Sequence, residues 1–328
     1  MTLNLLCVLT KENTITKDIF KKGLSNLLNF IFSNNKKTFF FIEDYCDKNF
    51  VNNKFDALIF CDPYWLQYGF ENSKKYKNLI GLFESFSNTK KFFLGIGSKN
   101  HSEENNSIFK TKSEISAIRK IHLETSVSCR DSFTQKVLKN AGINSVLLPC
   151  VSYFCDGLDD KILLPKKDNV LIWHDPRLRE SQKEYKFLDL LNYYKINQYY
   201  SMKYNAKVFC FSKKEIESAL KLGINKPIIL NNRQELLNKI TLSKMTLSGD
   251  VYSLIPAMIQ RCKVGVIDLS NEVKIISDFG CGIVKNIHDF TKMQSHKIDL
   301  KKQANYYKIL FQDFLSLCNL QENNIPCL

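Results

Sequence analysis

What most constrains this chain is a rhythm. Short apolar runs alternate with longer amphipathic stretches almost from end to end. Strands are predicted at 3–9, 37–42, 56–61, 91–96, 125–129 and 145–148, with helices near 17–33, 71–86, 113–122 and 131–140. Continuous apolar strands, rather than alternating ones, are what a sheet covered on both faces requires. Strands separated by helices point to a parallel α/β sheet.

The rhythm breaks once. Residues 156–168 are charged, contain Pro165 and read as a connector. The alternation then restarts, with strands at 169–173, 207–211, 227–230, 245–247 and 263–267. Helices are expected at 180–199, 213–222, 233–239 and 253–261, with a last one at 303–320. The chain has 328 residues, enough for two domains at roughly 100–200 residues each. The expected fold class is α/β, with two Rossmann-like domains facing across a cleft. The expected boundaries are 1–160, 161–300 and a C-terminal helical segment, 301–328, packing back on the first domain.

Composition narrows the partners. There are 47 Lys and Arg against 33 Asp and Glu, a net charge of +14. A chain this basic attracts polyanions, anionic membrane surfaces or phosphorylated substrates. The Lys-Lys pairs are scattered (21–22, 36–37, 74–75, 90–91, 166–167, 213–214, 301–302), and no zinc finger or RNP-type motif occurs. A nucleic-acid face would be more clustered, so no dedicated nucleic-acid binding is expected. The 11 cysteines are odd in number, irregular in spacing and lack a C-x-x-C. Several sit inside apolar runs, where free Cys behaves as a small hydrophobe. That pattern fits a reducing, cytoplasmic setting. Cys150 and Cys155 have no second pair at zinc spacing, so no metal is expected. Residues 1–10 lack the basic start of a leader and read as a first strand. No apolar run reaches membrane-spanning length.

Three local patterns carry chemistry. Gly95-Ile96-Gly97-Ser98 follows a strand, where open α/β sheets place their ligands. Arg130-Asp131-Ser132 ends a strand and starts a helix, which Asp131 or Ser132 would cap and Gly142 would end. His174 closes the first strand after the connector and is the histidine best placed for proton transfer. No Walker-type P-loop, H-E-x-x-H or Ser-His-Asp order is present. Tyr193, Tyr194, Tyr199, Tyr200 and Tyr204 form an aromatic cluster that reads as core or as sugar-stacking surface.

In order and spacing these patterns resemble the polysaccharide pyruvyl transferase family. The resemblance runs through Gly95-Ile96-Gly97, Arg130-Asp131 to Leu138, Gly142-Ile143 and Leu148-Pro149-Cys150. It continues through Trp173 to Arg177, Phe211-Ser212 to Leu220, and Pro256 to Lys274. It implies a GT-B-like transferase of surface-polysaccharide synthesis that moves pyruvate from phosphoenolpyruvate onto a sugar. Implied for catalysis are Asp131, His174, Asp250 and Tyr252. Implied for the donor are Arg177, Ser212, Glu215, Ser248, Gly249, Ser253 and Lys274. Gly95, Gly97, Ser98 and Arg130 are implied for the acceptor. No cofactor beyond the donor is implied. The partners would be a phosphorylated donor and a sugar or lipid-linked glycan, with peripheral contact at the inner face of an anionic membrane.

One departure changes the chemistry. Where the family reads S-G-R-x-H, this chain reads Ser248-Gly249-Asp250-Val251-Tyr252. Asp for Arg turns attraction for a phosphate into repulsion, about 4 kcal/mol at contact for an effective dielectric near 20. Tyr, with an ordinary pKa near 10, is a weak base at neutral pH. Three readings stay open. A nucleotide sugar could be the donor, with Asp250 as base or ribose ligand. Arg130, His174, Arg177 or Arg233 could supply the missing cation. Or the chain could hold glycan without chemistry.

Overall fold

The computed structural model describes residues 2–10, 14–45, 54–62, 65–66, 70–98, 111–122, 125–158, 167–174, 187–248, 251–267, 282–284, 287–289 and 298–316. The chain divides into two compact units. The first comprises Met1–Lys11, Lys21–Leu158 and Asp299–Leu328, and the second Glu12–Phe20 and Asp159–Ile298.

The first unit holds β1 (Leu3–Leu9), α1 (Thr14–Ile31, whose first residues fall in the second unit), β2 (Asn35–Phe41) and β3 (Ala57–Cys61). It continues with α2 (Lys74–Ser85), β4 (Lys90–Ile96), α3 (Lys112–His122), β5 (Ser126–Cys129), α4 (Ser132–Asn140) and β6 (Val146–Leu147). Its six strands run in the order β2-β1-β3-β4-β5-β6, all pairs parallel. Burial explains the apolar runs: every residue of β3 and all of β1 except Asn4 are buried. On one face Phe60 stacks on Phe93 with centroids 4.7 Å apart, beside Trp65, Leu79 and Ile121.

The second unit holds β7 (Lys167–Trp173), α5 (Phe187–Tyr204), β8 (Lys207–Cys210), α6 (Lys213–Lys221), β9 (Ile228–Ile229) and α7 (Arg233–Thr241). β10 (Ser243–Ser248), α8 (Val251–Ile259), β11 (Lys263–Ile267) and β12 (Gly282–Val284) follow. Its strand order is β12-β11-β10-β7-β8-β9, again parallel throughout. Tyr193 and Tyr200 from α5 are fully buried against Val170, Ile172 and Leu247, which puts these two tyrosines in the core.

The C-terminal helix α9 (Leu300–Leu310) belongs to the first unit, and after a turn at Phe311 residues 312–316 are helical again. Phe311 just beyond it packs on Phe92 at 4.2 Å and Phe32 at 5.3 Å. Tyr307 is fully buried and donates to the Pro149 carbonyl at 2.5 Å.

Element order follows the predicted rhythm, and the differences are local. Strand 145–148 shortens to two exposed residues at the sheet edge, where few partners hold it. The expected helix at 180–199 is helical from 187 to 204, and 180–186 lie outside the described residues. β12 was not anticipated; three residues are too few to show a period.

Candidate functional site

In open parallel sheets the ligand crevice forms beyond the strand C-termini where the winding direction reverses. In the second unit that point lies between β7 and β10. The chain leaves β7 for β8 and β9 on one side and returns to β10 on the other. Trp173 and Ser248, the last residues of the two strands, are register partners. α8 begins at Val251, with only Gly249 and Asp250 between it and β10. The first turn of a helix offers unsatisfied backbone N–H groups and a positive dipole end, a ready seat for an anion.

Buried polar groups gather here. Ser248 and Thr246 on β10 are fully buried. Among the described residues the buried Trp173 indole N–H and the buried Thr246 hydroxyl have no hydrogen-bond partner. Buried polar atoms are paired in the great majority of cases, so unpaired ones at a strand end mark a place where a ligand or water is owed a bond. His174 follows Trp173 and is 1% exposed. Its Nδ1 lies 3.1 Å from the Tyr193 hydroxyl and its Nε2 3.1 Å from the Ser218 hydroxyl. Both ring nitrogens therefore engage groups on α5 and α6. Ser212 caps α6 by accepting from the Glu215 N–H at 3.3 Å, and Glu215 accepts from the Phe211 N–H at 2.6 Å. The arrangement is close to a capping box, except that Glu215 reaches the residue before the cap instead of the cap itself.

Of the other residues singled out for this unit, Arg177, Gly249, Asp250 and Lys274 lie outside the described residues. So do the side chains of Tyr252, Ser253 and Arg233, although their backbone is helical.

The first unit has its own polar edge. Gly95 takes φ +58, and a Cβ there would come within 3.3 Å of Cys150 Cα and of the Tyr307 hydroxyl. Only glycine combines that dihedral with that crowding. Its N–H donates to Ser128 Oγ at 2.9 Å. Gly97 accepts from the Leu66 N–H at 2.9 Å. Ser98 is fully buried, and its carbonyl receives Arg130 at 3.5 Å. Arg130 is 5% exposed; its Nε donates to Asp131 at 3.2 Å. Asp131 also caps α4, accepting from the Thr134 N–H at 2.6 Å. Gly95, Gly97, Ser98, Arg130 and Asp131 thus converge on one strand edge.

Sequence reasoning missed a second buried ion pair in this unit. Asp62, the residue after β3, is 2% exposed and pairs with Lys75 of α2. Lys75 Nζ also sits 4.5 Å from the centre of the Trp65 ring. The available signal was an acid placed directly after a wholly apolar strand. The thiols nearby are held in the neutral form. Burial pushes Cys61 well up, and Cys150 is raised by the same cause. A thiol nucleophile needs the opposite shift. Among the described residues no cluster of three or more His, Cys, Asp or Glu could hold a metal ion, and no helix is long and apolar enough to cross a membrane.

Comparisons with known proteins give this geometry a context. Curated protein sequences yield no match. Among solved structures, UDP-GlcNAc 2-epimerase from Neisseria meningitidis, bound to UDP-GlcNAc, superposes with a TM-score of 0.61 at 8% identity. That match covers 96% of this chain and 100% of that one. UDP-GlcNAc 2-epimerase from Methanocaldococcus jannaschii, in complex with UDP-GlcNAc and UDP, gives 0.56 at 11% identity, covering 95% and 100%. At such identities the likeness is one of fold, a pair of Rossmann-like units of the GT-B kind. The model of the polysaccharide pyruvyl transferase family matches residues 15–258. That span takes in both polar edges and most of both sheets. The chain belongs to the polysaccharide pyruvyl transferase family, and it is a transferase of the GT-B-like class.

Proposed function

We propose that the chain transfers pyruvate from phosphoenolpyruvate onto a sugar of a surface glycan, with the donor held at the β7–β10 end of the second unit. The supporting observation is the start of α8 directly after β10, at the reversal point of the sheet, beside the unpaired Trp173 indole. The donor's phosphate and carboxylate suit a helix N-terminus. Ser248 and the amides of Val251, Tyr252 and Ser253 are the proposed ligands, with Gly249 allowing close approach. Arg177 and Lys274 are the proposed counter-charges.

The reaction forms a ketal. Two acceptor oxygens bond to C2 of the enol, and the bond from C2 to the phosphate oxygen breaks. One hydroxyl proton goes to the methylene carbon, which becomes a methyl group, and the other leaves with phosphate. We assign the proton handling to Asp250 and Tyr252, which the sequence sets between Ser248 and the body of α8. His174 holds that strand end in place through Tyr193 and Ser218. Arg130 and Asp131 belong to the acceptor side. The acceptor is a sugar or lipid-linked glycan, met in the cytoplasm at the inner face of a membrane whose anionic lipids attract the +14 chain.

A nucleotide sugar is the second reading. It is favoured by Asp250 in place of the family's Arg and by the UDP-GlcNAc in the solved structures of similar fold. Thermal unfolding separates the two. A donor at 100 times its dissociation constant stabilises by about 2.7 kcal/mol. Phosphoenolpyruvate is expected to raise the melting temperature, and UDP-GlcNAc to leave it unchanged. The reverse result replaces pyruvyl transfer with glycosyl transfer, and no shift with either removes both.

A further inference from the structure

The first unit carries a groove that neither polar edge uses. It is an open cavity of about 620 Å³, lined along one side by α2 and closed by Tyr45 and by Lys120 of α3. Its aromatic wall is fixed in place. The Tyr45 ring lies against Gly81, where a Cβ would meet Cε1 at 2.8 Å, so any larger residue displaces the ring. The Tyr45 hydroxyl is 3.0 Å from Ser85 Oγ, which in turn donates to the Gly81 carbonyl at 2.9 Å. Tyr76 lines the same groove. Asn78 donates its amide to the Ile42 carbonyl at 2.7 Å, which sets its side-chain orientation.

The charged residues of the groove behave differently from those at the strand edge. Lys75 is committed to Asp62. Lys77 and Lys120 are exposed lining residues, and among the described residues neither side chain makes a hydrogen bond or ion pair. Glu84 is likewise unpaired. The two ammonium groups outnumber the one carboxylate, so beside a pre-set tyrosine ring the groove favours an anion. The ring stacks on the apolar face of a sugar, and the ammoniums meet a carboxylate. A fixed ring loses little freedom on binding.

We infer that this groove is a second carbohydrate site, which holds an acidic sugar unit of a glycan chain. Within the transferase reading it would grip the acceptor away from the reacting sugar, so the acceptor is an acidic oligosaccharide rather than a monosaccharide. The binding itself does not depend on which donor the second unit uses.

Isothermal titration of the full chain with a galacturonate hexamer tests it, with maltohexaose as the neutral control. The acidic hexamer is expected to bind and the neutral one to bind at least about tenfold more weakly, the effect of losing two exposed charge contacts. The double variant Lys77→Ala with Lys120→Ala should weaken the acidic hexamer by the same factor without lowering the melting temperature. Gly81→Ala should weaken both hexamers by moving the Tyr45 ring. Equal binding of the two hexamers overturns the acidic assignment. Failure of both to bind, or binding that survives all these substitutions, overturns the site. The donor's thermal shift should be the same in the double-lysine variant, so a failed donor reading and a failed groove give different results.

Discussion

The β5–α4–β6 segment of the first unit and the β8–α6–β9 segment of the second are built alike. Each strand ends in a buried cysteine, Cys129 or Cys210. Each helix is nine residues long, capped by Asp131 or Ser212. Each ends in Gly-Ile with the glycine near φ +75, and both helices close with the same crossed pair of hydrogen bonds. Each chain then returns to the strand, Leu148 N to Cys129 O and Leu230 N to Cys210 O, both at 2.9 Å. What differs is the residue between strand and cap. In the first unit it is Arg130, buried and paired with Asp131. In the second it is Phe211, stacked on Trp173 with planes 13° apart. One scaffold thus presents a charged corner in one unit and an aromatic corner in the other. Caps and turns set the backbone; a single position sets the chemistry.

The buried histidines follow the same division. In the second unit both nitrogens of His174 meet hydroxyls. In the first unit His122 is buried, its Nε2 has no partner among the described residues, and burial lowers its pKa from 6.5 to about 3. The unfolded chain therefore takes up a proton below pH 6.5 that the folded chain refuses until about pH 3. Stability falls as the pH drops through that window, by about 5 kcal/mol across all of it and about 3 kcal/mol by pH 4. Urea unfolding at pH 7 and pH 4 should show a smaller loss for His122→Leu than for the parent chain. Equal losses would remove the contrast between the two histidines.

The corners give the next effects. Arg130→Ala leaves Asp131 buried without its partner and should cost about 3–5 kcal/mol. Phe211→Ala removes a half-buried ring and should cost about 2 kcal/mol. Equal costs in denaturant unfolding would mean that the two corners are energetically interchangeable. The caps come last: Ser212→Ala should cost about 1 kcal/mol, and Gly142→Ala and Gly223→Ala about 1 kcal/mol each. Similar values for the two glycines would confirm that the modules share their backbone, and a twofold disparity would break the likeness.

This division explains what was legible in sequence. Strand and helix order was readable because the inner strands are buried, and β1 and β3 are almost unbroken apolar runs. Asp131 could be read as a cap, and Gly142 as a helix end, because both signals are local. The Asp62–Lys75 pair was not readable, because it joins a strand end to a helix 13 residues on and neither residue belongs to a spaced motif. Nor could the sequence show that Glu215 takes the Phe211 N–H while Ser212 caps the helix, or that His174 is held at both nitrogens. Those facts depend on which helices cover which strand. The reversal between β7 and β10 is a property of strand order alone.

The central claim is that the β7–β10 end of the second unit, and not the charged corner of the first, receives phosphoenolpyruvate. Isothermal titration with phosphoenolpyruvate tests it most directly, using the full chain, Ser248→Leu and Arg130→Lys. The account predicts binding to the full chain, its loss in Ser248→Leu, and affinity within about twofold of the parent in Arg130→Lys, which keeps the corner's charge. Binding that survives Ser248→Leu and disappears in Arg130→Lys would contradict it.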